Sequence, residues 1–124
     1  MAEVGQQDIV WIRFPFSDLQ DSEFHPVLVL SNNSYNKNNH DIFVCPVTSR
    51  LEVKEFSVLI DSSNLSRGKM PLKSRIRADK VSSVEKSMVE KSFAKLDDKT
   101  YDAVVDEINK LIKISAQGKT AGGQ

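Results

Sequence analysis

The stretch IVWIRFPF, Ile9 to Phe16, alternates with a period of two. Val10, Ile12, Phe14 and Phe16 fall on one face, and Ile9, Trp11 and Arg13 on the other. That is the period of a strand and not of a helix, so the chain opens in β structure. Downstream, SDLQDSEF is polar and rich in turn formers and reads as a loop. It leads into PVLVLSN, a short β-branched run that reads as a central strand with its proline at the start, where a missing N–H is tolerated. The asparagine-rich NNSYNKNNHD is a loop or a single helical turn. IFVCPVTS and EFSVLI are two further strands joined by RLEVK, and DSSNLSRGKMPLK is a long polar connection.

SRIRADKV, Ser74 to Val81, alternates again. Ser74, Ile76 and Ala78 share a small, apolar face that should point at a core, and Arg75, Arg77 and Asp79 share the charged one. Beyond a short helical stretch expected in SSVEKSMVEK, the period lengthens. DDKTYDAVVDEINKLIKI offers Asp97 or Asp98 as N-cap and an apolar stripe at Tyr101, Val104, Val105, Ile108, Leu111 and Ile112. These spacings belong to an amphipathic helix packed along one side, with its stripe in the core. Five short strands followed by a packed helix suggest a mainly β fold, a small, strongly curved antiparallel sheet or barrel. The expected organisation is one domain over residues 1–115 and a disordered tail over 116–124.

Composition narrows the function classes. Of 124 residues 17 are basic and 17 acidic, so no global field draws the chain to nucleic acid or to an anionic membrane, and any charge-driven function must come from local clustering. The lone Cys45 sits in an apolar run and excludes an internal disulfide. His25 and His40 are too few for a histidine-built metal site, and no cofactor fingerprint is present. No apolar run approaches a membrane span, and MAEVGQQDIV shows no basic region followed by an apolar core, so the expectation is the cytoplasm.

Three stretches can carry chemistry. From Arg67 to Lys80 stand six basic residues (Arg67, Lys69, Lys73, Arg75, Arg77 and Lys80) against the single acid Asp79. A solvated strand face beside a loop accounts for such a cluster. So does a phosphate-binding surface, because arginine forks grip phosphate oxygens bidentately and Arg75 and Arg77 project from one face. PVTSR ends a strand in Thr48 and Ser49, followed by Arg50; hydroxyls there form turns or orient a phosphate. His25 precedes Pro26, incidentally or as the side chain best suited to move protons at neutral pH.

The motifs GQQDIVWIRFPFSD, HPVLVLSN, VCPVTS and RADKV, in this order and spacing, resemble the MazF/PemK toxins of bacterial toxin–antitoxin pairs over roughly Val4 to Ile114. The resemblance implies an SH3-like β-barrel with a C-terminal helix, acting as a homodimer. It implies metal-independent, sequence-selective cleavage of single-stranded RNA, with no cofactor, and inhibition by a partly disordered acidic antitoxin. Carried across, the family's threonine matches Thr48 with Ser49 beside it, and its later arginine–aspartate pair matches Arg77 and Asp79. The family's main catalytic arginine stands before the proline of the second strand, where this chain has His25. The expected roles are His25 as acid or base, Thr48 and Ser49 holding the phosphate, Arg77 stabilising the transition state and Asp79 orienting Arg77. Arg50, Arg67, Lys69, Arg75 and Lys80 are expected along the RNA. Two alternatives stand beside this reading: an attenuated or non-cleaving RNA binder, because His25 replaces arginine, and a CcdB-like poison of gyrase acting by protein contact.

Overall fold

The computed structural model describes residues 3–13, 24–52 and 54–115. Phe14, Phe16, most of the SDLQDSEF loop and the 116–124 tail lie outside the described residues.

Among the described residues eight strands form a curled half-barrel: β1 (Asp8–Arg13), β2 (Phe24–Val29), β3 (Asp41–Thr48), β4 (Ser57–Ile60), β5 (Leu65–Gly68), β6 (Ser74–Arg77), β7 (Ser82–Glu85) and β8 (Val89–Leu96). A short helix α1 (Asn33–Asn38) joins β2 to β3, and α2 (Asp98–Ile112) follows β8. All pairings are antiparallel, in the order β4-β6-β3-β2-β1-β8-β5, with β7 paired to β3 beside β6. The mainly β fold expected from the alternation is the fold observed.

The three central strands are apolar on both faces because both faces are covered. Ile9, Leu28, Cys45 and Val47 belong to one core, closed by Ile76, Leu96 and Val104 of α2. Val10, Ile12, Val27, Val29, Ile42 and Val44 belong to a second core on the opposite face, closed by Val84. Each fully buried Ile, Leu or Val contributes about 1.5–3 kcal/mol relative to exposure. The curl is set where β1 meets β8: the register slips between Ile9 and Val10 and again between Trp11 and Ile12, and such bulges bend and twist a strand.

Several expectations are corrected. SSVEKSMVEK is not helical: it forms β7, a single 3-10 turn at Lys86–Met88 and the start of β8. Long-range pairing decides there, since β7 takes up the free side of β3 from Asp41 to Val44 and β8 pairs with β1 along its length. The connection after Asp61 is not wholly loop but holds a 3-10 turn at Ser62–Asn64 and β5. With β5, β7 and β8 added, the five expected strands become eight. β2 begins at Phe24, so Pro26 lies inside the strand opposite Trp11. The α2 stripe is core only as far as Ile108: Val104 is fully buried and Tyr101 and Ile108 pack on the first core, but Leu111 and Ile112 are 43% and 71% exposed. The sheet ends before the last turn of α2 reaches anything to cover it. Asp97 is the N-cap, accepting from the Thr100 amide at 2.8 Å.

Candidate functional site

Strand pairing brings two of the candidate side chains, Thr48 and Arg75, together, and the continuation of the β2–β3 register brings His25 level with them in one row. Ile12 pairs with His25 across β1 and β2, and Thr48 pairs with Arg75 across β3 and β6. The β2–β3 register, Val27 opposite Pro46, carried two residues further sets His25 opposite Thr48. Neighbouring strands lie about 4.8 Å apart, so the backbones of His25 and Arg75 stand roughly 10 Å from each other with Thr48 between them. Residues in one such row share a face of the sheet, and all three are half-buried.

At the end of β3 the chain turns. The Thr48 hydroxyl accepts the Arg50 amide at 3.1 Å, a local turn that leaves Ser49 exposed at its tip. Arg50 points into solvent, 3.4 Å from Glu52 with both side chains largely exposed, a pair of little energetic weight. Arg75 donates its Nε to the Leu51 carbonyl at 2.7 Å and an Nη1 to the Ser57 hydroxyl at 3.4 Å, tying this turn to β6.

Arg77 and Asp79 form a bidentate pair, Nε to Oδ1 at 2.9 Å and Nη2 to Oδ2 at 2.8 Å. The hydrogen bonds from Arg77 hold the Asp79 carboxyl below its ordinary range, and those to Asp79 raise the Arg77 guanidinium further. Asp79 is therefore a fixed carboxylate that holds its arginine, and its charge offsets much of what Arg77 would present. Lys80 follows in the turn, its side chain exposed.

The basic cluster that is contiguous in sequence divides in space. Arg67 lies on β5, at the far end of the strand order from β6, where its Nη2 donates to Asp8 at 3.2 Å and to Ser92 at 3.1 Å. Lys69 is exposed just beyond β5. Cys45, three residues before Thr48, is fully buried and its thiol is pushed up to about 12, chiefly by desolvation, so it is an inert packed group.

Beside Thr48 and Ser49 opens a cavity of about 300 Å³, walled by Trp11, Pro26, Phe93, Met70 and Leu72. Trp11 stacks on Phe93 with ring centroids 4.9 Å apart and planes 22° from parallel. Of these walls the sequence places only Trp11, on the Ile9 face of the first strand. The other walls come from three separate segments, and no spacing links them.

A model of the family described as PemK-like, MazF-like toxin of type II toxin-antitoxin system matches residues 5–112. No curated protein matches the chain. Among solved structures the chain is similar to a MazE–MazF complex from Deinococcus radiodurans, with 24% identity over 93% of this chain and 100% of that one at a TM-score of 0.76. It is also similar to the Mycobacterium tuberculosis toxin MazF-mt6, with 15% identity over 87% and 98% of the two chains at 0.70. An endoribonuclease in complex with its cognate antitoxin, from a mycobacterial species, shares 15% over 93% and 98%, again at 0.70. At these identities the likeness is one of fold.

Proposed function

The chain belongs to the PemK-like, MazF-like toxin family of type II toxin-antitoxin systems, and we propose that it is an endoribonuclease that cuts single-stranded RNA at selected sequences without a metal ion. Endoribonuclease activity is the general function of that family. The observation that carries the reading to this chain is the pairing of Thr48 with Arg75 across β3 and β6, with His25 on the neighbouring β2 two residues beyond the last β2–β3 pair.

The chemistry asks three things of such a row. The 2′-OH must lose a proton as it attacks the adjacent phosphate, the 5′-oxygen must gain one as it leaves, and the phosphorane between must be stabilised. His25 takes the proton role, typically worth about 10²–10⁴-fold. Thr48 and Ser49 bind the phosphate through their hydroxyls. Arg75 supplies charge at the row itself, and Arg77, held by Asp79, supplies a pre-oriented but partly neutralised fork. Arg50 and Lys80 are exposed nearby and meet the RNA backbone, whereas Arg67 and Lys69 meet it only if the strand wraps to the β5 edge.

The attenuated reading has an observation in its favour as well. Arg75 and Arg77 are both engaged within the chain, so the fixed charge of the arginine that His25 replaces is not visibly restored. The partners that go with either reading are an acidic antitoxin laid across the same face and a second copy of the chain; solved neighbours include MazE–MazF and an endoribonuclease with its cognate antitoxin.

The test is incubation of the purified protein with a long, mostly unstructured RNA in EDTA, followed by mapping of the new ends. Cuts leaving 2′,3′-cyclic phosphate and 5′-OH, lost in Thr48→Ala, are the expected outcome. No cutting by the parent but cutting by His25→Arg would establish the attenuated reading, and silence from both would remove the nuclease.

A further inference from the structure

We propose that the cavity walled by Trp11 and Phe93 seats one unpaired nucleobase of the RNA strand, the base next to the phosphate at Thr48 and Ser49, and so determines which sequences are cut. The inference rests on the nuclease reading for the identity of the strand, and on the cavity itself for the occupant.

The floor is aromatic. Trp11 and Phe93 both line the cavity and stack on each other, offering π-surface to a flat guest. Bases of single strands bind by stacking on such side chains, an interaction worth roughly 5- to 150-fold in affinity per base. Met70 adds a polarizable thioether to the wall, and Pro26 a rigid apolar one. The local fold accounts for the placement of Trp11. Ile9, two residues earlier on the same face, is fully buried in the first core, while Trp11 lies between the two register slips of β1 against β8. Bulges of this kind re-aim a side chain, and here the indole meets the cavity instead of continuing the core.

The rim distinguishes a nucleotide from an apolar peptide side chain. Thr48, Ser49 and Ser74 bring hydroxyl-bearing residues to the cavity, groups that can pair with the polar edge of a base. The cavity opens on the first-core face with Trp11, Pro26 and Val47, and the end of β3 at Thr48 and Ser49 brings it next to the row, whose His25 and Arg75 are level with the second-core face. None of the lining residues is acidic, and Lys73 and Arg75 flank Ser74, which suits a polyanion. The volume, at the small end of ligand sites, suits a single base with its ribose.

Trp11 is the only tryptophan in the chain, so tryptophan emission reports this cavity together with the neighbouring one that Trp11 shares with Phe24, Glu90 and Lys91, and Leu72, which lines only the first, tells the two apart. The full-length protein is titrated with short 2′-O-methyl RNA oligonucleotides of mixed sequence, which lack the attacking hydroxyl, and with the four nucleoside monophosphates. Saturable quenching that differs among the four bases is expected. Leu72→Ala, at a lip residue 62% exposed and thus harmless to folding, should weaken it several-fold. In the mapped cleavage products Trp11→Leu should lower discrimination at one position beside the cut by about tenfold. Quenching without any cleavage would keep the base seat and remove the nuclease. Cleavage with unchanged emission, and with sequence preference intact in Trp11→Leu, would overturn the seat and leave the nuclease standing. Quenching by an acidic peptide but by no oligonucleotide would overturn it too, giving the cavity to a protein partner.

Discussion

An imidazole at position 25 exchanges fixed charge for proton transfer, and that exchange has a measurable signature. Histidine is the side chain that changes charge between pH 5 and 8, while the Arg77–Asp79 pair, with the carboxyl held low and the guanidinium high, stays ionised across that window. Cleavage should therefore vary with pH between 5 and 8 in the parent and flatten in His25→Arg; a flat profile in the parent would remove His25 from the proton path. The Asp79 carboxylate gives a second test. It now cancels much of the Arg77 charge, so Asp79→Ala should release one cation toward the RNA. Affinity for a single strand at low salt should rise, and the slope of log affinity against log salt should steepen by about 0.7, one additional phosphate contact. An unchanged slope would mean that Arg77 does not face the strand.

At the scale of elements, β5 shows how one residue fixes an edge. Gly68 ends β5 at φ +84°, and a Cβ there would come within 2.3 Å of the Phe93 carbonyl on β8. Gly68→Ala should cost about 2 kcal/mol or more, through left-handed backbone strain and a backbone clash, read as a loss of several degrees in Tm. A neutral result would show that β5 is not docked as described. The same edge marks where sequence reading stops. Alternation was enough for β1 and β6, down to the burial of Ser74, Ile76 and Ala78, and Asp97 and the stripe sufficed for α2. Residues 82–91 misled because Glu, Lys and Met favour helix locally, while the ladders to β3 and β1 that override them are long-range. For the site, the residues of each strand were legible but their row was not, since pairing register cannot be read from one strand. The Arg67–Lys80 cluster looked continuous only because the connection between β5 and β6 carries the chain from the β5 edge to β6, which is inserted between β4 and β3 toward the other end of the strand order.

The whole molecule hangs on three shared strands. β1, β2 and β3 contribute alternate residues to both cores, so neither core can open without disturbing the other. β3 is the most constrained: β2 pairs with it on one side, and β7 and β6 on the other. Cys45 lies in its middle, fully buried, with the thiol pushed up to about 12 by desolvation. Alkylation needs both access and the thiolate, and at pH 8 the native thiol is ionised only to about one part in 10⁴, against roughly a quarter when unfolded. Fraying of the exposed end of α2, which lies outside the core that holds Cys45, leaves Cys45 covered. Its labelling by iodoacetamide should therefore proceed only through global unfolding, and the free energy of protection should fall with urea at the slope of the equilibrium transition. Rapid labelling that ignores low urea would instead reveal a local opening of β3, and with it a site row able to separate while the rest of the fold stays intact.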